Sequence, residues 1–316
     1  MQNNSKILIL GHNGMVGSSI IRNLKLKNYK NIILALKDNK KINLTNQKEV
    51  CDFFIKENPD YVFLAAAKVG GIFANENYPA QFIYNNLAIQ TNVIEACRIS
   101  NVKKLLFLGS SCIYPRDASQ PLKEESLLSG PLEKTNEYYA IAKIAGIKMC
   151  EAYWKEYGCK FISCQPCNLY GPDDNYSPMN SHVIPGLIRR FHEAKINKSQ
   201  EVVIWGTGNA LREFLYVDDL AEACVFLMNN YEEMELINIG SSKEISIKYL
   251  ATIIKDVVNF TGELRFDESK PDGTPRKIMD SSKINKMGWV PSIDLKQGLL
   301  ETYKYFLESD KIKKQQ

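Results

Sequence analysis

Short apolar runs alternate along this chain with longer segments in which apolar and polar positions recur at helical spacing. Continuous apolar runs of four to six residues are typical of strands buried on both faces of a parallel sheet. Strands are predicted at residues 7–10, 31–36, 61–66, 104–108 and 161–165, and helices at 18–26, 78–100 and 138–157. This alternation predicts an α/β fold, a Rossmann-like doubly wound parallel sheet.

The first predicted strand leads directly into a glycine-rich turn that opens the first helix. Gly11 permits the tight turn, Gly14 lets the backbone approach a pyrophosphate, and Gly17 allows close helix packing. The N-terminus of the helix adds free N–H groups and a partial positive charge. The turn therefore predicts a dinucleotide site. Its candidate contacts are Gly11, Asn13, Gly14, Met15, Val16 and Gly17.

The end of the second predicted strand indicates which dinucleotide binds. Residues 31–36 are followed by Lys37 and Asp38, with no acid directly after the strand to bind a ribose 2′-hydroxyl. A basic residue there suits a 2′-phosphate. Lys37, with Lys40 or Lys41, is the candidate for that contact, which favours NADP(H) over NAD.

A phenol and an ammonium lie four residues apart in the helix predicted at 138–157. Tyr139 and Lys143 point from one helix face. Such a spacing also occurs by chance on solvated faces. An adjacent cation favours the phenolate, so we expect Lys143 to lower the pKa of Tyr139 from its usual ~10. The pair predicts proton-transfer chemistry.

Two hydroxyls and a thiol follow the strand predicted at 104–108, namely Ser110, Ser111 and Cys112. Ligands of doubly wound sheets bind beyond the carboxyl ends of the strands. Without the Tyr139 helix, the two serines could equally be turn residues. Together with that helix, they predict a catalytic site at this edge.

Composition narrows the class of protein. The chain has 316 residues, about two domains, with 45% hydrophobic and 24% charged residues and a net charge of +4. The spread of charge suggests neither nucleic-acid nor membrane binding, and no apolar run approaches a membrane span. The polar N-terminus excludes a secretory segment, so we expect a cytoplasmic protein. The eight cysteines suit reduced thiols, and no metal site is expected.

Several segments together resemble a known family. The glycine turn, Ser110 and the Tyr139–Lys143 pair are similar to those of extended short-chain dehydrogenases/reductases. Further segments resemble the branch of that family that makes GDP-fucose, and they span nearly the whole chain. They are residues 65–72, 108–115, 168–172, 180–185, 212–215 and 272–277.

The resemblance implies a reaction and a set of residues. Members of that branch are homodimers that use NADPH to epimerise carbons 3 and 5 of GDP-4-keto-6-deoxy-mannose and to reduce carbon 4. The implied reductive residues are Ser110, Tyr139 and Lys143, and the implied epimerising residues are Cys112 and His182. Further implied cofactor contacts are Ala66, Lys143, Asn168, Leu169 and His182.

Substrate binding is expected in the C-terminal part. The resemblance implies Arg190, Arg212 and Lys277 as cations for a diphosphate and Trp205 as a stacking surface for guanine. We expect residues 1–171 to form the dinucleotide domain, with 205–235 packing back on it, and 172–316 to form mainly a smaller α/β substrate domain. Asn13 stands where the family commonly has Arg, and Cys167 where it commonly has Thr.

Three other functions compete with a dual epimerase and reductase. The protein could catalyse only the reduction at carbon 4 while a separate enzyme epimerises. A 4,6-dehydratase is disfavoured, because Ser111 and Cys112 occupy the place of that relative's acidic pair. An NADP-sensing module without turnover would not need the Tyr139–Lys143 pair. Neither the choice between a GDP-linked deoxyhexose and a heptose nor the product stereochemistry follows from the sequence.

Overall fold

The structure is a computed structural model that describes residues 1–37, 40–178, 180–270, 272 and 274–309. Its helices are α1 Met15–Leu26, α2 Gln47–Glu57, α3 Ile72–Asn77, α4 Pro79–Ile99, α5 Glu137–Tyr157, α6 Val183–Ile196, α7 Val217–Asn230, α8 Ile247–Val258, α9 Ser282–Lys286 and α10 Leu295–Glu308. Its strands are β1 Ile7–Leu10, β2 Ile32–Leu34, β3 Leu36–Lys37, β4 Lys40–Lys41, β5 Tyr61–Leu64, β6 Lys104–Leu108, β7 Phe161–Pro166, β8 Asn168–Tyr170, β9 Glu201–Trp205, β10 Leu211–Tyr216, β11 Ile237–Ile239, β12 Glu244–Ser246, β13 Glu263–Asp267 and β14 Arg276–Lys277.

A parallel sheet forms the centre of the larger hydrophobic core. Within the described residues it has six strands in the order β11-β7-β6-β5-β1-β2. Every residue of β1, β6 and β7 is buried, as the continuous apolar runs predict. The strand order reverses beside β1, so β2 and β5 flank it on opposite sides. The predicted Rossmann-like fold is confirmed, and the crevice at this reversal is where such folds bind ligands.

Helix α5 packs directly against the sheet. A Cβ atom at Gly146 would lie 2.4 Å from the ring of Phe107 in β6, so only a glycine allows this approach. The helix ends at Gly158, whose φ of +68° is the left-handed conformation of a C-terminal cap. Because α5 lies so close to β6, Tyr139 and Lys143 in its first turns reach the carboxyl end of that strand.

A second hydrophobic core lies in the C-terminal half, among α6, α8 and α10. Phe191, Leu250 and Leu299 are buried in it. The described strands around it form small sheets, with β10 between β12 and β14, β8 beside β10, and β9 paired with β13. This arrangement places β10 between the two cores.

Parts of the C-terminal half pack on the central sheet. Helix α7, within the predicted interval 205–235, contacts α1, and the hydroxyl of Ser19 donates to the carbonyl of Val217 at 3.1 Å. Strand β11 and the buried side chains of Met279, Ile284 and Trp289 also belong to the larger core, beyond that interval. The boundary at residues 171 and 172 stays a prediction. In the part of the chain described here, no helix is both long and apolar enough to cross a membrane.

Lys104 joins β6 to the end of α7. It is 4% exposed and donates from Nζ to the carbonyls of Leu227, Met228 and Tyr231. Burial lowers its pKa to about 8, so it stays mostly charged at pH 7. We expect Lys104→Met to lower the free energy of unfolding by about 2–4 kcal/mol, because the buried carbonyls lose a charged donor. Denaturant unfolding measures this loss. The control Lys103→Met, at a side chain 63% exposed, should cost less than about 1 kcal/mol, and equal losses would contradict the assignment.

Candidate active site

The glycine turn between β1 and α1 has the geometry of a phosphate cradle. Gly11 has a φ of +93°. A Cβ atom at Gly17 would lie 2.2 Å from the carbonyl oxygen of Gly11, so α1 packs directly on the turn. At Gly14, the nearest described atom would be 3.5 Å away, which leaves room for a ligand. No side chain among the described residues caps α1, so its first N–H groups suit a bound pyrophosphate.

Four further cofactor candidates lie on or beside this turn. Ala66 contacts it, because a Cβ atom at Gly11 would lie 2.7 Å from the Ala66 nitrogen. Asn13 is exposed, and Met15 and Val16 are half-buried in the first turn of α1. The structure therefore brings these candidates together at the crevice.

The remaining nucleotide candidates lie on other segments. Asn168 and Leu169 are in β8, which pairs with β10, and Nδ2 of Asn168 donates to the carbonyl of Glu213 at 3.0 Å. The side chain of Lys37, the candidate for a 2′-phosphate, lies outside the described part of the structure, as does Asp38.

Tyr139, Lys143 and Ser110 meet at the carboxyl end of β6. The ring of Tyr139 packs edge-on against Phe82, with 6.2 Å between centroids, and its hydroxyl forms a hydrogen bond with Ser110. Lys143 is buried and donates from Nζ to the carbonyl of Leu108 at 2.7 Å. Its Nζ is 5.8 Å from the centre of the Tyr139 ring. The predicted trio therefore lies together.

The prediction that Lys143 lowers the pKa of Tyr139 is wrong. Burial, followed by the nearby thiol of Cys112, raises the pKa of Tyr139 well above its ordinary value, against a smaller opposing effect of Ser110. The ammonium of Lys143 is directed to the Leu108 carbonyl, and its own pKa is lowered by burial to about 8. Tyr139 is therefore a protonated phenol at neutral pH, which is the form that can donate a proton.

Cys112 lies in a 3-10 turn, Ser111–Ile113, directly after Ser110. The hydroxyl of Ser110 accepts from the Cys112 N–H at 3.4 Å. Two donors approach the sulfur: Nδ2 of Asn136 at 3.4 Å and Nζ of Lys277 at 3.8 Å. Lys277 was predicted to bind a diphosphate, whereas its contact in the described structure is with Cys112.

His182 lies at the end of the segment that leads into α6. It is the residue before α6, and the preceding segment contacts the loop after β5, where the Gly71 N–H donates to the carbonyl of Asn180 at 3.3 Å. Helix α3, which follows Gly71, packs against the turn that carries Asn136. The His182 side chain is exposed, and partial desolvation by neighbouring atoms lowers the pKa of its imidazole.

The substrate-binding candidates Arg190 and Arg212 are cations held by backbone carbonyls. Arg190 donates to Val203 at 2.9 Å, and Arg212 donates to Leu211 at 2.8 Å. Burial lowers the pKa of both, and neither forms an ion pair within 4.0 Å in the described part of the chain. Trp205 is 65% exposed at the end of β9. Desolvated guanidinium groups suit an anionic ligand, and the carboxylate of Asp272 only partly offsets the desolvation of Arg212.

Gln165 supports the catalytic turn and was missed by sequence reasoning. It is fully buried in β7, and its Oε1 accepts from the Ser110 N–H at 2.7 Å. A Cβ atom at Gly109 would lie 1.9 Å from that oxygen, so the glycine makes room for it. Its polar amide within the strand-like run 161–166, which also contains Ser163, was the signal in the sequence.

Glu213 is a second missed residue. Its buried carboxylate lies in β10 and accepts from the N–H groups of Ser242 at 2.6 Å and Met279 at 2.8 Å. These bonds tie β10 to the loop after β11 and to the segment just after Lys277. The residue stood in a family-like motif, but nothing in the sequence indicated its partners.

Glu213 should make stability depend on pH. Burial raises its pKa to about 7, against ~4.3 for an unfolded chain, so between these values the folded state binds more protons. We expect the free energy of unfolding to fall, relative to Glu213→Gln, as the pH rises from about 4.3 to about 7. The limit is ~1.4 kcal/mol per pH unit, and the change levels off above about pH 8, where Glu213 is ionised in both the folded and the unfolded state. Denaturant unfolding of both proteins across this range measures the difference, and parallel curves would contradict it.

Ser110, Cys112, Tyr139 and Lys143 thus converge, and Lys277 joins them. His182 and the two arginines lie on other elements and make no direct contact with Cys112 among the described residues. No cluster of three or more potential metal ligands occurs in the described residues.

Comparison with known proteins places the chain in a family. The model of the NAD dependent epimerase/dehydratase family matches residues 7–240. A probable GDP-L-fucose synthase 1 of Oryza sativa subsp. japonica is 58% identical, over 96% of this chain and 92% of that protein. A GDP-L-fucose synthase of Escherichia coli (strain K12) is 50% identical, over 96% and 97%.

A solved structure is also similar over its full length. The GDP-mannoheptose C4 reductase from Campylobacter jejuni with NADP bound is 41% identical, with a TM-score of 0.89 over 97% of this chain and 99% of that one. The chain therefore belongs to the NAD dependent epimerase/dehydratase family and, within it, to the GDP-L-fucose synthase group.

Proposed function

We propose that this protein is an NADPH-dependent enzyme that epimerises carbons 3 and 5 of a GDP-4-keto sugar and reduces carbon 4. The observation that carries the proposal is the convergence of Ser110, Cys112 and Tyr139 beyond β6. The GDP-L-fucose synthases among its relatives favour GDP-4-keto-6-deoxy-mannose as the substrate.

The glycine turn would hold the diphosphate of NADPH, with Lys143 at the nicotinamide ribose. Gly14 provides the open approach, and the N-terminus of α1 provides the N–H groups. Bound there, NADPH supplies the hydride that reduces carbon 4. Lys37 is the proposed contact for the 2′-phosphate.

Epimerisation begins at a C–H bond next to the ketone. Cys112, as a thiolate, takes the proton, so an S–H bond forms while the C–H electron pair becomes an enolate with its charge on oxygen. Ser110 and Tyr139 hydrogen-bond that oxygen. His182 returns a proton to the other face of the carbon, which inverts its configuration. Desolvation lowers the pKa of His182, which favours release of the proton from its imidazolium.

Reduction uses the same oxygen. Tyr139, held as a phenol by burial, donates its proton to the carbonyl oxygen as carbon 4 gains the hydride. Ser110 donates a second hydrogen bond to the same carbonyl oxygen and holds it next to the Tyr139 hydroxyl. Other residues would bind parts of the sugar nucleotide that are remote from the reacting carbon. Arg190 and Arg212 would bind the diphosphate, and the exposed Trp205 would stack on the guanine.

Two measurements test the proposal. The protein is incubated with NADPH and a panel of GDP-4-keto hexoses and heptoses, and the loss of NADPH absorbance and the product NMR spectra are followed. If no sugar of the panel causes NADPH to be oxidised, the protein is an NADP-binding module without turnover. The second measurement is deuterium incorporation from solvent at carbons 3 and 5 without NADPH. No exchange alongside normal reduction would support the second candidate, a reductase of carbon 4 alone, which the similar GDP-mannoheptose C4 reductase favours.

Assembly and location complete the proposal. The large apolar side chains of Tyr84, Tyr138 and Ile141 are 66%, 46% and 40% exposed on α4 and α5, which suits a homodimer formed through these helices. All eight cysteines are free thiols, which suits the reducing cytoplasm. Sedimentation of the purified protein tests the dimer.

A further inference from the structure

Two nitrogen donors converge on one sulfur atom in the active site. Nδ2 of Asn136 lies 3.4 Å and Nζ of Lys277 lies 3.8 Å from Sγ of Cys112. The three residues come from separate segments: the turn after β6, the turn before α5, and strand β14. They line a cleft of about 50 Å³, so the sulfur is both surrounded and accessible.

The acids around this cleft have other partners. Glu244 pairs with Arg276 through two bonds of 2.7 and 2.8 Å, and Glu133 pairs with Arg116 at 3.6 Å. Lys277 forms no ion pair with an acid in the described part of the chain. Its ammonium is therefore not neutralised by a carboxylate, and the described group it contacts is the thiol.

The position of Lys277 is also fixed by its own strand. Lys277 pairs with Arg212 in the register of β14 and β10, and the Met279 N–H is held by the buried carboxylate of Glu213. An ammonium held beside a thiol stabilises the thiolate, which is the form of cysteine that accepts a proton. Asn136 adds a neutral donor from a second direction.

We propose that Lys277 and Asn136 are catalytic residues that hold Cys112 as the thiolate base, rather than ligands of the diphosphate. This inference rests on the proposed epimerase function. When Cys112 takes the proton from carbon 3 or 5, the S–H bond forms and the negative charge moves to the enolate oxygen. Lys277 thus stabilises the sulfur before the transfer, and Ser110 and Tyr139 stabilise the oxygen after it.

The reactivity of the thiol tests the inference without turnover. The folded protein is treated with limiting iodoacetamide at pH 7, and carboxamidomethylation of Cys112 is followed by peptide mass spectrometry. Lys277→Met should slow the reaction about tenfold or more, because the reacting sulfur loses the cation that lies beside it. Lys277→Arg should stay within about threefold of the wild-type rate, since it restores a cation. Asn136→Ala should slow the reaction by a smaller factor.

A matched control removes a lysine from the same turn as Asn136. Lys134 is exposed, and Lys134→Met should react at the wild-type rate. A wild-type alkylation rate in Lys277→Met, with circular dichroism showing a folded protein, would overturn the inference. Slower alkylation in that variant supports it even if no GDP-sugar is turned over, so failure of the proposed function stays distinguishable. Where exchange is observed, Lys277→Met should lower exchange at carbons 3 and 5 without weakening NADPH binding.

Discussion

Tyr139→Phe is expected to abolish reduction of the ketone while leaving NADPH binding unchanged. The variant keeps the ring packed against Phe82, at 6.2 Å between centroids, and loses only the hydroxyl. Because burial keeps that hydroxyl protonated at neutral pH, its removal deprives the carbonyl oxygen of its proton donor. General acid catalysis contributes ~10²–10⁴-fold, and turnover should fall by that factor. Absorbance of NADPH measures turnover, and fluorescence titration measures binding.

The adjacent residue provides the control for Tyr139. Tyr138 is 46% exposed, and Tyr138→Phe should retain wild-type turnover. Turnover in Tyr139→Phe above about a tenth of the wild-type rate would mean that another group supplies the proton.

Gly17→Ala is expected to disrupt the nucleotide-binding turn itself. The added Cβ would lie 2.2 Å from the carbonyl oxygen and 2.6 Å from the carbonyl carbon of Gly11. Both are backbone atoms, so α1 must move away from β1. We expect the free energy of unfolding to fall by about 3 kcal/mol or more, together with loss of NADPH binding. Denaturant unfolding and fluorescence titration measure the two effects.

Gly14→Ala separates folding from ligand binding. Its Cβ would meet the Gly11 oxygen at 3.5 Å, an ordinary contact, and its φ of −90° is open to any residue. Stability should therefore change by less than about 1 kcal/mol, and Ala at an N-cap has a small cost of that size. NADPH affinity should fall strongly, because the methyl group would occupy the approach of the pyrophosphate. Equal stability of the two variants would show that α1 tolerates the displacement.

The elements nearest to the cofactor were predictable from local sequence. The run Ile7–Leu10, the glycines after it and the helix that follows form one contiguous motif, and each residue type has a direct steric reason. The Tyr139–Lys143 pair was likewise visible, because helical spacing fixes which face both side chains share. These features depend on residues that are close in sequence.

The environment of each site residue was not predictable in this way. Spacing placed Lys143 near Tyr139 but could not report that burial of the phenol outweighs the cation. The contact of Lys277 with Cys112 joins residues 165 positions apart, and it depends on how β14 docks beside β10. Gln165 meets Ser110 because β7 lies beside β6, which is a property of the assembled sheet.

One edge strand of the central sheet, β11, comes from late in the chain. Strand β11 pairs with β7 in parallel, and about 70 residues separate them, enough to form α6, β9, β10 and α7 in between. During synthesis, the outer edge of β7 therefore stays unpaired until residue 239 has left the ribosome. A fragment ending near residue 171 would keep that edge exposed and should self-associate. The nucleotide-binding half would thus depend on the second half for its solubility.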